Sequence, residues 1–572
     1  MEQISAFQAY QTSVENTKNK SSKSNSSKQS NKKANNVPTN GETSQHTQKR
    51  KIPLDISEFV SPASRPVPVG SQDSTVSSSQ GSNNLSQPST SHTQKSKNKK
   101  QKTNEHTTTS VINSSTMAGP AIGIQMVNSS SIDVGESVFV HLINGIDKDQ
   151  FMTNFWERKP LHISRKNSDI YNPLGISLAS VDEMLRSNVI EYTKNLDITS
   201  YINGQRETHN PDGRAMADTV WRSYNDGCSV RLLNPQTFMP QLHRLNATLQ
   251  EYFQCLVGAN LYLTPPGSQG FAPHYDDIEA FVLQIEGQKR WRIYRPRSEA
   301  EKLPRESSGN FNETDMKTME LSLEVILKPG DLLYFPRGYV HQANTIDGHH
   351  SLHVTLSMYQ KTSFADLFEE LIKTSLTKAI ANEVSFRYGL PLDIWENFGA
   401  SYENYASNRK EHIKDHIRAL FERLLNHMNV DEAVDRLAVK FQHDALPPYI
   451  RQDEKNLLPI GTKAIVKMNG KMEMKLPHSN TEVRLLRANI VRLTTHDDEL
   501  RLYYYSDNSK EYHENEVNYI ELDDSAVLIA NKLIHTYPAY IKIRDLDESY
   551  ECALSIACAL WERGLLMSKK PL

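Results

Sequence analysis

From Ser229 to Gln360 the chain is written as short apolar runs separated by Gly, Pro and Asn: "SVRLL", "NLYLTPP", "AFVLQIEG", "KRWRIYRP", "LEVILKPGDLLYFPRG" and "SLHVTLSMYQ". Runs of this length, rich in β-branched and aromatic residues and bounded by turn formers, read as strands. No strong helical period intervenes, so the block predicts an antiparallel barrel or sandwich. Polar and apolar positions alternate within it: Asn260, Tyr262 and Thr264 share one face of their strand, and His353, Thr355 and Ser357 share one face of theirs. A polar face opposed to an apolar one fits a wet barrel interior and a packed exterior, although exposed sheet faces carry similar Ser/Thr rows.

At 572 residues the chain exceeds one ordinary domain. Residues 1–110 hold 15 Lys/Arg against 7 Asp/Glu and the remainder 50 against 61, so a near-neutral total of −3 conceals a basic tail on an acidic body. Residues 1–117, mostly Ser, Asn, Thr, Gln and Lys, lack the apolar content to offset ordering entropy and are expected to be disordered. Their clusters "QKRK", ending at Lys51, and "KSKNKKQK", from Lys95 to Lys102, suit nuclear targeting, with nucleic-acid contact or a solvated linker as alternatives. Four scattered cysteines, without C-x-x-C spacing, favour a reducing compartment. No apolar run approaches the ~20 residues of a membrane span, and the first residues lack a signal-peptide pattern. The expectation is a soluble intracellular protein.

The block is flanked by helical patterns. "FVHLINGIDKDQFMTNFWERKPLHI" has helix-like spacing before an extended end. Beyond the block, Phe364, Leu367, Phe368, Leu371 and Ile372 follow a Ser-x-x-Asp cap, and Ile413, Ile417, Leu420, Phe421, Leu424 and Leu425 form a second stripe. Stripes this wide need a partner, either the barrel or a second copy of the chain. From Leu446 a small α+β unit begins, of which a winged helix is one form. Its 17 Lys/Arg against 19 Asp/Glu lack the basic footprint of a duplex binder, so no direct duplex DNA binding is expected. The expected divisions are 1–117, 118–362, 363–445 and 446–572.

The chemistry is concentrated in "APHYDDIEAFVLQIEGQKRW" and "PGDLLYFPRGYVHQA". In an extended segment His274 and Asp276 project to the same side. A turn, a short apolar strand and a second turn then deliver His341. Two imidazoles and a carboxylate form the facial triad of non-haem Fe(II), with positions left open for oxidant and cosubstrate. His353 is a competing third ligand, which the turn chemistry around His341 disfavours, and His349 and His350 sit in a polar loop. Lys289 alternates with Trp291 and Ile293, so an inward-facing Trp291 implies an inward ammonium that needs an anion. The alternative is an edge strand with a solvated lysine.

These residues, with "FWERKPLHI" and "GANLYLTPPGSQGF", resemble the JmjC-domain ribosomal oxygenases, a family that includes nucleolar lysine demethylase and histidyl-hydroxylase enzymes. The resemblance implies an α+β multidomain chain. In it a double-stranded β-helix (a JmjC, cupin-like barrel) precedes a helical dimerisation region and a C-terminal winged helix, behind a disordered N-terminal tail. It further implies Fe(II) at His274, Asp276 and His341, and 2-oxoglutarate held through its distal carboxylate by Lys289, with Asn260 and Thr355 beside it and O2 as oxidant. Arg231, Tyr262 and Ser357 match positions that approach the target side chain. The implied reaction is hydroxylation of a histidine in a large-subunit ribosomal protein, in the nucleus and nucleolus. Demethylation of a histone tail lysine is the alternative at the same site, and a homodimer or dimer of dimers is the implied assembly. A non-catalytic chromatin or ribosome-assembly adaptor is a competing reading, as is a cupin-like isomerase. The loop "RSEAEKLPRESSGNFNETDM" and the tail depart from the family pattern.

Overall fold

A computed structural model describes residues 112–114, 129–496, 499–511 and 516–572. The basic clusters and most of the tail expected to be disordered lie outside the described residues, but Ile112–Ser114 of that tail form a strand that pairs in parallel with Leu161–Arg165, so the expectation fails there. The described residues divide into two compact units, one containing those up to Ser375 and from Met428 onward, the other containing residues 376–427.

The first unit is built on a nine-stranded sheet. Its strands run in the order β1 (Ile112–Ser114), β2 (Leu161–Arg165), β10 (Leu332–Phe335), β7 (Glu279–Gly287), β12 (Ser351–Met358), β6 (Gly258–Thr264), β5 (Ser229–Leu233), β3 (Leu196–Ile202), β4 (Gln205–Thr208). A three-stranded sheet of β11 (Val340–Thr345), β8 (Lys289–Tyr294) and β9 (Leu321–Leu327) completes the double-stranded β-helix. Apart from β1 on β2, every pairing in these sheets is antiparallel.

Alternation assigns the two faces of the large sheet. Phe281 and Leu283 of β7 and Leu352, Val354 and Leu356 of β12 pack outward against helices, in one core with Phe139, Phe151 and Leu249. Ala280 and Val282 of β7 point the other way and join Trp291, Ile293, Leu333 and Phe335 in a second core inside the barrel. His353 and Thr355 therefore share the interior face, and the exterior face of the same strand is wholly apolar.

One element departs from the sequence reading. The helix Pro240–Phe253 lies between β5 and β6, where no strong helix was expected. Its Leu242, Leu245, Leu249 and Phe253 recur every three or four residues behind a helix-starting proline, and all four are buried. That helix also seats the C-terminal part. Gln250 exchanges two hydrogen bonds with the backbone of Leu446, and the His243 ring bonds the Pro447 carbonyl at 2.8 Å. The C-terminal part has its own core around Trp561, Tyr505, Ile529 and Leu533, between two three-stranded sheets and the helices Asp524–Thr536 and Tyr550–Glu562.

The second unit is helical. The helix Asn408–Leu425 buries Ile413 and Leu424, and Arg409 forks onto Asp393 at 2.7 and 2.9 Å. Leu392 and Trp395 remain exposed, at 85% and 77%.

Candidate active site

Two turns bring the metal-binding residues together. His274 and His341 form an antiparallel bridge by exchanging backbone hydrogen bonds, His274 N to His341 O at 3.2 Å and His341 N to His274 O at 2.8 Å. Each ring is fixed by its own chain two residues back. His274 Nδ1 donates to the Ala272 carbonyl at 2.8 Å and His341 Nδ1 to the Tyr339 carbonyl at 3.2 Å, which turns both Nε2 atoms towards Asp276. The separations from the Asp276 carboxylate are 3.8 and 3.6 Å. One ligand atom from each residue lies within 4.8 Å of the others, and no other such cluster occurs among the described residues.

Burial sets the protonation states that a metal needs. Desolvation lowers both imidazoles to about 4, so both are neutral donors at neutral pH. Behind desolvation, the positive fields of Arg206 and Arg231 also lower His274. Burial raises the Asp276 carboxyl, opposed by His341. A divalent cation would relieve this crowding of two lone pairs and a buried carboxylate, so the donor set fits Fe(II).

Lys289 faces inward. It is buried with Trp291, and its Nζ donates to Thr264 Oγ1 at 3.0 Å, with no carboxylate in ion-pair range among the described residues. Desolvation brings its ammonium down to about 7. Register explains the placement: on β8 and β11, Ile293 pairs with His341 and Lys289 with Thr345, so the ammonium and the metal ligand line one stretch of the small sheet. Across the large sheet Thr355 pairs with Asn260, and both line the cavity that contains His274 and Asp276. The buried Asn260 Oδ1 has no hydrogen-bond partner. A buried ammonium with no carboxylate in ion-pair range among the described residues fits an anionic ligand such as a small dicarboxylate.

Arg231, Tyr262 and Ser357 are brought together as lining residues of the same cavity. Arg231 pairs with Tyr262 across β5 and β6 and is clamped by Asp197, its Nε donating to Asp197 Oδ2 at 3.0 Å. Three parts of this arrangement escaped the sequence reading. Asp197 holds Arg231, Phe271 lies under both Arg231 and Arg206, and the His353 ring is stacked on Tyr262 at 4.9 Å rather than joining the metal ligands. A lone aspartate inside the apolar "LDITS" was the available signal for the first.

A family model of the JmjC domain matches residues 231–367, and one described as the ribosomal oxygenase 1 C-terminal winged helix domain matches residues 446–572. A bifunctional lysine-specific demethylase and histidyl-hydroxylase NO66 from Aedes aegypti is 48% identical over 449 residues, covering 78% of this chain and 70% of that protein. Its Culex quinquefasciatus namesake is 47% identical over 442 residues, covering 77% of this chain and 67% of that protein. The chain belongs to the NO66 family of JmjC oxygenases. Among solved structures, Escherichia coli ycfD aligns with a TM-score of 0.42 at 13% identity, covering 74% of this chain and 98% of that one. The same ribosomal oxygenase in complex with cobalt and 2-oxoglutarate aligns with a TM-score of 0.40 at 14% identity, over the same shares. As a JmjC oxygenase of the NO66 family, the chain is a 2-oxoglutarate-dependent dioxygenase that uses Fe(II), and its His-Asp-His cluster is the metal site.

Proposed function

We propose that the enzyme hydroxylates a histidine side chain of a large-subunit ribosomal protein in the nucleolus. The observation that carries the choice of target is the Arg231 guanidinium in the cavity lining, buried, clamped by Asp197 and paired in register with Tyr262. Asp197 balances the Arg231 charge, so what Arg231, Tyr262 and Ser357 offer is a hydrogen-bonding site, better suited to a polar imidazole than to a methylammonium. Methylammonium groups are instead commonly held by aromatic cages.

When Fe(II) and 2-oxoglutarate are bound, the site couples oxidative decarboxylation by O2, giving succinate and CO2, to insertion of one oxygen atom into a substrate C–H bond. The chain's residues make that coupling productive. His274, Asp276 and His341 would hold the metal on one side. Lys289 would bind the distal carboxylate of the cosubstrate, with Thr264 keeping the ammonium in place, and Asn260 and Thr355 would line its flank. Trp291, Phe335 and the stacked His353 and Tyr262 exclude water around these groups.

Nuclear and nucleolar residence is supported by the basic clusters at Lys51 and Lys95–Lys102, and self-association through residues 363–445 by exposed Leu392 and Trp395. The names of the relatives include lysine demethylation, so the test offers both substrates together. Purified enzyme with iron, ascorbate and 2-oxoglutarate is given a histidine-containing ribosomal-protein peptide and a methylated histone peptide. The expected intact-mass result is one added oxygen on the former and no lost methyl on the latter. Demethylation without hydroxylation would reverse the assignment.

A further inference from the structure

The cavity lined by His274 and Asp276 has a volume of about 1170 Å3, beyond the range of typical small-molecule pockets. His274, Asp276 and Asn260 are part of its lining. The rest of the lining includes residues of different elements, the helix Val430–Asp444 and the C-terminal fold. Val434, Leu437 and Phe441, spaced three and four residues apart on that helix, face the cavity with Leu493 and Ile534. Phe364, at the start of the helix Phe364–Asn382, contributes a ring that is 78% exposed.

This wall is rigid. Phe441, Leu493 and Ile534 are packed from behind against the C-terminal core, and the helix is stapled to that fold by Arg492, whose Nε donates to Asp435 at 2.9 Å. Apolar side chains held against a core yet left facing an open cavity are a preformed site awaiting apolar surface. The same cavity is lined by His274 and Asp276, so its occupant is a molecule that reaches the metal residues and extends well beyond them. A polypeptide does so, and its backbone would carry a distant side chain to the wall.

Building on the proposed protein substrate, we infer that Val434, Leu437, Phe441 and Phe364 form a specificity subsite that takes an apolar side chain of the substrate polypeptide away from the modified residue. The enzyme thus reads two points at once, the polar target at Arg231 and Tyr262 and an apolar anchor at the helix Val430–Asp444.

The test uses full-length enzyme and the peptide it modifies in two forms, a long one extending on both sides of the target and a short one limited to its immediate neighbours. The wild type is expected to favour the long form in kcat/KM. In Leu437→Glu and in Phe364→Glu that preference should fall on the order of tenfold, through KM of the long form. Phe364 is exposed, so its substitution keeps the test interpretable if Leu437→Glu fails to fold. An unchanged long-to-short ratio in Phe364→Glu, or an equal loss on both forms, overturns the subsite. A competing explanation, that the chain's own tail occupies the wall, predicts a higher affinity for the long form in both variants and would also overturn it. Wild-type enzyme that modifies no peptide at all would refute the protein-substrate reading itself, which keeps the two failures apart.

Discussion

In the proposed site His274 and Lys289 serve one reaction through separable equilibria, one for metal and one for anion. His274→Ala removes one of three ligand groups, so bound iron and turnover should disappear together, measured as metal content after anaerobic purification. Lys289→Ala leaves all three ligand groups in place; iron should remain while 2-oxoglutarate affinity falls by at least tenfold, the effect of losing one charge-assisted contact. Retained affinity in that variant would remove Lys289 from the carboxylate site. Lysine chemistry also sets a pH signature. Burial brings the free ammonium to about 7, and a carboxylate binds the protonated form. Below that pH the group is already charged and contributes no pH dependence. Above it each binding event takes up a proton, so affinity should fall by up to about tenfold per pH unit. Calorimetric titration of 2-oxoglutarate between about pH 6 and 9 in buffers of different ionisation enthalpy reads this uptake directly. Lys289→Arg should flatten the profile.

Among the elements, the junction of β7 and β8 is the most constrained, because there the chain leaves the large sheet for the small one and carries Lys289 into position. Gly287 adopts φ +67°, and a Cβ on it would lie 1.8 Å from the His350 carbonyl oxygen. That same oxygen accepts from Gln288 N at 2.9 Å, so it cannot simply retreat. Gly287→Ala should destabilise the protein by about 2–4 kcal/mol, read as a lower urea midpoint. Gly309→Ala, where nothing lies within 4 Å, should stay within about 0.5 kcal/mol of wild type. Equal midpoints for the two would show that the junction can rearrange. The barrel itself was legible because alternation is local: Leu352, Val354 and Leu356 against His353, Thr355 and Ser357 announce two faces without any knowledge of partners. The triad was legible for the same reason, since turn residues beside His341 limit where it can go. The helix Pro240–Phe253 was overlooked beneath a strand-dominated pattern, although its spacing was present. Asp197 stood out only as a lone aspartate in an apolar strand, and its partner could not be read because the contact with Arg231 depends on the register of β3 against β5.

In the whole molecule, the active-site cavity has one wall from the barrel and another from the C-terminal fold, so its shape depends on how firmly these parts are joined. Glu251, buried on the helix Pro240–Phe253, is the joint. It accepts from Ser131 Oγ at 2.7 Å and from Asn489 N at 3.3 Å, and the Tyr505 hydroxyl also donates to it. Ser131 in turn accepts from Ala488 N at 2.8 Å. A carboxylate is suited to this place because it accepts from several donors at once and donates to none. Burial and the Glu251 charge together raise the Tyr505 hydroxyl well above its ordinary range, which favours it as a donor to Glu251. Glu251→Leu keeps the volume but strands these buried donors, and should cost about 3–5 kcal/mol. Calorimetry should then show an earlier transition from the C-terminal part, split from that of the barrel. The helix Val430–Asp444 would lose its fixed position with it, so binding of a long peptide should weaken before iron or 2-oxoglutarate binding does. Glu251→Gln, which retains one acceptor oxygen, should fall between the two. A single transition at the wild-type temperature in Glu251→Leu would show that the apolar contacts alone hold the cavity together.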